Sequence, residues 1–134
     1  MKATDLMIGD WVLQCELNTP VKVQSIMCHY ADEDVYFYHE TSEYISNVSK
    51  LEPIPLTPEI LEKNGFKSNY NEEFTIDDKY SIYMSILNPQ YTATPRVTTG
   101  DIEDGDGGIY FNLSYVHELQ HCLKLCGIEK EIVL

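Results

Sequence analysis

The sequence predicts an α+β fold, and three patterns support this prediction. Residues 1–56 contain several short runs rich in β-forming side chains, residues 57–64 have the marks of a capped helix, and the rest alternates like strands before a final amphipathic helix. A chain of 134 residues is long enough to bury a real core. We therefore expect one compact unit with two halves, residues 1–56 and 57–134.

The first half is predicted to form a small antiparallel SH3-like barrel or curled sheet. A turn at Gly9-Asp10 precedes the apolar start of a strand, and Val21 and Val23 alternate with polar neighbours. Further β-rich runs follow at residues 34–39 and 43–54. Several short strands in so few residues are typical of small barrels.

The helix that links the two halves has the clearest boundaries in the sequence. Thr57 is a good N-cap residue, and Pro58 suits the first helical position. Gly65 can adopt the left-handed conformation that ends a helix. We therefore predict a short helix over residues 57–64.

The second half is predicted to be an antiparallel meander with a C-terminal helix packed on it. Its strands are expected at residues 80–87, 91–99 and 109–113, with a short final strand at 129–134. Pro95 marks an edge or a bulge. The helix, residues 114–126, is expected to turn an apolar face to this sheet; that face comprises Val116, Leu119, Leu123 and Cys126.

The charge excludes several kinds of partner. The net charge is −13, from 9 basic and 22 acidic residues spread over both halves, so no basic stripe can neutralise phosphates. We expect neither direct nucleic-acid binding nor membrane binding. No run is apolar enough for a secretion signal or a membrane span, which predicts a cytoplasmic protein. Its four cysteines are then expected to be reduced thiols.

One segment spells a possible catalytic motif, HELQH, at residues 117–121. In zinc peptidases with an HExxH helix, the two histidines bind the metal and the glutamate acts as general base. On a helix, His117 and His121 lie about 40° apart around the axis, so both could reach one ion. Glu118 would then be the base.

Other features favour an ordinary amphipathic helix. A catalytic zinc needs a third protein ligand, and nothing in the sequence indicates one. Lys124 is on the same helical side as the histidines, where a cation is unfavourable. We expect a polar face of His, Gln and Lys, a solvent-facing Glu118, no metal and no cofactor. The zinc-dependent peptidase remains an alternative.

Two further candidates are weaker. The acidic loop at residues 101–108 fails the EF-hand pattern, because Asp106 stands where glycine is needed, so a Gly-rich hairpin loop with at most a cation contact is expected. Tyr36, Tyr38 and Tyr44 could form a peptide-binding face on the barrel-like half, although strand aromatics often simply fill cores.

Three segments of the sequence match known patterns: residues 8–12 are similar to IGNWV, residues 53–66 to PIPLTxExLxxxGF, and residues 115–123 to YVHxLQNLY. Through these segments the chain resembles a family of small uncharacterised proteins of Bacteroidetes genomes and their prophages and mobile elements. The last segment departs from the pattern, since His121 replaces its Asn and Cys122-Leu123 replaces its Leu-Tyr. The resemblance implies a cytoplasmic accessory protein and no known activity.

These observations together predict a non-enzymatic protein that acts through an unidentified protein partner. A second alternative comes from the charge alone. An acidic protein can imitate nucleic acid if its carboxylates form ordered rows that a basic protein recognises. Here the acidic residues are dispersed among lysines.

Overall fold

The computed structural model describes residues 2–29, 32–39, 42–68, 73–76, 80–87, 90–97 and 111–134. Over these residues the fold is α+β, with two antiparallel sheets of five strands each and two α-helices. The chain divides into two compact units. The first comprises Met1–Pro55 with Tyr115–His117, and the second Leu56–Ser114 with Glu118–Leu134.

The sheet of the first unit has the strand order β4-β3-β2-β1-β5. Its strands are β1 (Trp11–Gln14), β2 (Thr19–His29), β3 (Asp32–His39), β4 (Ser42–Asn47) and β5 (Leu51–Pro53). Alternate positions point inward, as the sequence predicted for Val21 and Val23, and both are buried. Among the described side chains of this unit, the buried hydrophobic cluster consists of aliphatic residues: Leu6, Val12, Val21, Val23, Val35, Val48 and Leu51.

A very short connection makes this sheet curl. β4 and β5 are its opposite edges, yet only the 3₁₀ turn Val48–Lys50 joins them. Edge strands of a flat five-stranded sheet lie about 19 Å apart at the usual spacing. The chain from Asn47 to Leu51 spans at most about 15 Å. The sheet therefore coils toward itself.

A side-chain contact across the sheet agrees with this coiling. The Gln14 amide nitrogen in β1 lies 3.5 Å from the Ser46 hydroxyl in β4, although β2 and β3 separate these strands in the sheet. Both side chains are buried. The described strand pairs leave β4 and β5 as edges, so the predicted SH3-like barrel is not confirmed as a closed barrel.

The second unit is a meander with strand order β10-β9-β8-β7-β6, as predicted. Its elements are α1 (Pro58–Lys63), β6 (Lys67–Ser68), β7 (Glu73–Thr75), β8 (Tyr80–Leu87), β9 (Gln90–Val97), β10 (Phe111–Leu113) and, from Glu118 onward, α2 (Val116–Leu125). Pro95 pairs with Ile82 of β8 but lies past the stretch of β9 that pairs with β10. A missing N–H is tolerated there. The acidic loop at residues 101–108 lies outside the described residues.

Local capping groups determine where α1 begins and ends. The Thr57 hydroxyl accepts a hydrogen bond from the Ile60 N–H, and Pro58 occupies the first helical position. Gly65 has φ +78°, and the next residue, Phe66, donates its N–H to the Leu61 carbonyl. α2 ends in the same way at Gly127, which has φ +70°. The capping predictions for α1 are confirmed.

The apolar face of α2 is buried, as the sequence predicted. Val116, Leu119 and Leu123 are at most 1 % exposed, whereas Cys126 is only half-buried. Cys122 joins this buried face. The side chains of β8 and β9 lie outside the described ones, so the packing of α2 on the meander stays a prediction.

The predicted final strand at residues 129–134 is wrong, because a side chain takes the place of a partner strand. The amide oxygen of buried Asn64 accepts the Val133 N–H at 2.9 Å, and its nitrogen donates to the Val133 carbonyl at 2.7 Å. The same nitrogen donates to Ile60 at 2.8 Å, at the end of α1. Buried Ile132 adds an apolar anchor. Asn64 therefore ties the tail to α1.

We expect Asn64→Ala to destabilise the protein by about 1–3 kcal/mol, because several buried polar groups lose their partners. Asn64→Asp should be at least as harmful, since a carboxylate cannot donate and adds negative charge at the C-terminal end of a helix. Urea unfolding measures both changes. Glu62→Ala, at an exposed position of the same helix, should stay within about 0.5 kcal/mol of the wild type. Equal stability of Asn64→Ala and wild type would show that Asn64 does not hold the tail.

Candidate functional site

The HELQH segment forms the first part of α2, and its glutamate makes a capping hydrogen bond at the start of the helix. The Glu118 carboxylate accepts the backbone N–H of Ser114 at 2.6 Å. The first N–H groups of a helix lack partners within the helix, and an acidic side chain in the first turn reaches back to the chain that enters it. The Val116 N–H donates instead to the Ile54 carbonyl at 2.9 Å. Glu118 is half-buried and hydrogen-bonded to the backbone, so it is not simply the solvent-facing carboxylate that the sequence predicts.

His117 also lies in a different environment from the one that the sequence predicts. It was expected on a polar face with Gln120 and Lys124, but it is 6 % exposed. Its ring stacks on Tyr115, with centroids 5.8 Å apart and planes 9° apart. Among the described residues, no hydrogen-bond partner lies within reach of its Nδ1 atom. The ring thus lies buried beside Tyr115 at the beginning of α2.

His121 completes the motif, one helical turn after His117. It is half-buried, and Lys124 beyond it is exposed. Side chains at this spacing have Cβ atoms about 6 Å apart. Over the described residues, no group of three or more His, Cys, Asp or Glu side chains is arranged to hold a metal ion. The absence of a catalytic zinc stays a prediction.

Cys122, the cysteine within α2, is a buried apolar side chain more than a reactive group. Burial and the neighbouring Cys126 raise the pKa of Cys122 to about 12. Cys15 is exposed, at the end of β1, and its pKa is raised by desolvation and by Glu52. The Cys28 side chain lies outside the described ones. A thiol in the environment of Cys122 is almost never a thiolate, the form that reacts.

The register of β3 and β4 separates the three tyrosines of the predicted interaction face. Tyr36 pairs with Ile45 and Tyr38 with Glu43, whereas Tyr44 pairs with Phe37. Paired residues share a face, and successive residues alternate. Tyr44 therefore occupies the opposite parity from Tyr36 and Tyr38. The joint face of three tyrosines stays a prediction.

β4 carries an exposed apolar residue that is not among the predicted site residues. Ile45 is 60 % exposed, and Tyr44 beside it is 41 % exposed. β4 is also an edge strand, paired with β3 along its whole length. The sequence did contain a signal: neighbouring strand residues point to opposite faces, so Tyr44 and Ile45 cannot both be buried in one core.

Comparisons with known proteins leave the origin open. No protein-family model, curated protein or solved structure matches the chain. The resemblance to the Bacteroidetes family, and the cytoplasmic accessory role it implies, stay predictions. In the described part of the chain, no helix has both the length and the apolar character needed to cross a membrane.

We expect Glu118→Ala to lower stability by about 1–2 kcal/mol, because α2 loses a capping group. Glu118→Gln should cost only about 0.5 kcal/mol, since the amide oxygen can still accept the Ser114 N–H and only the charge is lost. Urea unfolding tests this order, with Glu129→Ala beyond the helix as the control. If Ala and Gln were equally harmless, the carboxylate would not be a cap.

We also expect the cysteines to differ in reactivity. At pH 8 a pKa of about 12 leaves roughly one Cys122 thiol in ten thousand ionised, and burial excludes the reagent as well. Iodoacetamide should therefore label Cys15 long before Cys122, as followed by peptide mass spectrometry. In urea the two rates should become similar. Equal labelling rates in the folded protein would contradict the buried position of Cys122.

Proposed function

We propose that this protein is a non-enzymatic interaction protein that works by binding another protein. The observation that supports this most is that Tyr44 and Ile45, on the two faces of edge strand β4, are both exposed. An edge strand is a template for pairing with another chain, and proteins usually blunt such edges unless they use them. β4 instead presents one of the most exposed large apolar side chains of the described residues.

The architecture of the first unit fits such a role. We propose that the curled sheet is an SH3-like module. Support comes from the three-residue connection between its edges and from the Gln14–Ser46 contact across it. Small barrels of this kind present strand and loop residues to extended peptides.

The HELQH segment supports a non-enzymatic role. A general base has to reach a metal-bound water, but Glu118 is engaged with the Ser114 N–H. His117 is buried against Tyr115 rather than directed into an open site. We extend the proposal to a cytoplasmic accessory protein of phage or mobile-element origin, on the resemblance of its three sequence segments.

Acidic imitation of nucleic acid is a second candidate. Residues 23–49 contain five acidic residues and no lysine or arginine, which is a marked local excess of negative charge. A protein captured in this way would bind through its own nucleic-acid site. Duplex DNA added in excess would then release it, whereas a partner bound through the apolar edge would stay.

Affinity capture from a lysate of the encoding cells tests the main proposal. We expect a protein that the wild type retains and Ile45→Lys loses, because a lysine at this position removes the apolar contact. Ile8→Lys is the matched control, since Ile8 is 66 % exposed in the same unit but not on β4. Quantitative mass spectrometry compares the three. The proposal fails if no captured protein is retained by both the wild type and Ile8→Lys but lost by Ile45→Lys.

A further inference from the structure

We propose that edge strand β4 binds an extended, basic segment of a partner protein, which adds to the sheet as a further strand beside Ser42–Asn47. This inference rests on the proposed function and identifies the chemistry of the partner. It depends on three observations: the position of β4 in the sheet, the exposure of Ile45, and the charge of the surrounding hairpin.

The position of β4 provides backbone recognition. All six residues from Ser42 to Asn47 pair with β3 without a register shift, so the pairing is regular over the length of the strand. The strand order places it at the outer edge of the described sheet. A peptide that adds to such an edge gains main-chain hydrogen bonds, and these require an extended conformation but no particular sequence.

Ile45 provides an apolar contact for alternate residues of the incoming segment. Its neighbour Ser46 points inward and is 6 % exposed, whereas Ile45 points outward and is 60 % exposed. A strand laid beside β4 would place every second side chain on the face that carries Ile45. Aliphatic or aromatic residues at those positions would cover it.

The charge of the hairpin determines which segment fits. Between Lys22 and Lys50 the chain has five acidic residues and no basic one, and three of the five, at residues 32–34, begin β3. Glu43 lies on β4 itself, and the start of β3 pairs with its far end through Asp34 and Asn47. Lysine and arginine in the partner would meet this field, and acidic residues would be repelled.

The same charge argues against other occupants. A second copy of the chain would bring an identical acidic hairpin against the first, and like charges on neighbouring strands destabilise the pair. Nucleic acid and anionic lipid are polyanions. A basic, extended polypeptide is the occupant that can both pair with the edge strand and complement its negative charge.

A displayed library of random nine-residue peptides, selected on the immobilised full-length protein, tests the inference. We expect the enriched peptides to be basic, with β-branched or aromatic residues at alternate positions. Synthetic copies should bind wild type and Ile8→Lys alike, and Ile45→Lys about tenfold more weakly or worse. Their affinity should fall as the salt concentration rises from about 0.05 to 0.5 M.

Two further measurements separate strand addition from simple charge attraction. Bound peptide should slow amide hydrogen exchange within Ser42–Asn47, because strand addition engages backbone N–H groups. Glu43→Lys should weaken the binding of basic peptides several-fold, whereas Glu129→Lys, in the other unit, should leave it nearly unchanged.

The outcomes distinguish the inferred partner chemistry from the proposed function. Enriched peptides that are acidic or neutral, yet lost on Ile45→Lys, would overturn the inferred partner chemistry and leave the proposed function standing. Peptides that bind Ile45→Lys as well as wild type, or a library that yields none, would overturn both. A dimer in sedimentation experiments that Ile45→Lys dissociates would identify a second copy as the occupant and overturn the inference.

Discussion

The three-residue connection Val48–Lys50 is the constraint on which the first unit depends. It joins opposite edges of one sheet, so the sheet can form only if it coils. The turn is itself anchored: the Asn47 side chain accepts the Ser49 N–H at 3.0 Å, and Val48 is buried. Coiling brings Gln14 near β4, and its amide oxygen also accepts the Leu17 N–H at 2.6 Å. One buried amide thus connects the coiled sheet with the loop after β1.

Features encoded by neighbouring residues could be predicted from the sequence. Thr57 and Gly65 act on groups three to four positions away, so their capping roles follow from the sequence alone. Glu118 was missed although its partner, Ser114, is equally close. The usual capping box has a spacing of three residues, and here it is four. The spacing of the two histidines of HELQH is compatible with a shared metal, but in the structure the His117 ring is buried and stacks on Tyr115.

Features that depend on distant contacts could not be predicted. Asn64 binds a residue 69 positions later, and no local pattern indicates such a partner. The faces of the strands are likewise set by register. A bulge between Val23 and Ser25 inserts one residue, so the inward parity shifts and Ile26, not Ser25, continues the core side. The inward and outward alternation of side chains in the first half of β2 therefore does not predict which side chains of its second half point inward. The same alternation does not predict the face of the sheet on which Tyr44 lies.

The hydrogen bonds of Asn64 also affect how readily this residue deamidates. Asn64 precedes Gly65, and in flexible chains the glycine backbone nitrogen attacks the asparagine side-chain carbonyl and expels ammonia to form a cyclic imide. Water then opens this imide to aspartate or isoaspartate. In the folded chain the amide is held by Ile60 and Val133, and the Gly65 N–H donates to Glu62 at 2.9 Å. The attack is therefore blocked while the tail is bound. When the tail detaches, Asn64 can deamidate and lose the side-chain nitrogen that donates to the Val133 carbonyl. The tail can then no longer bind in the same way, so a transient opening has an irreversible effect.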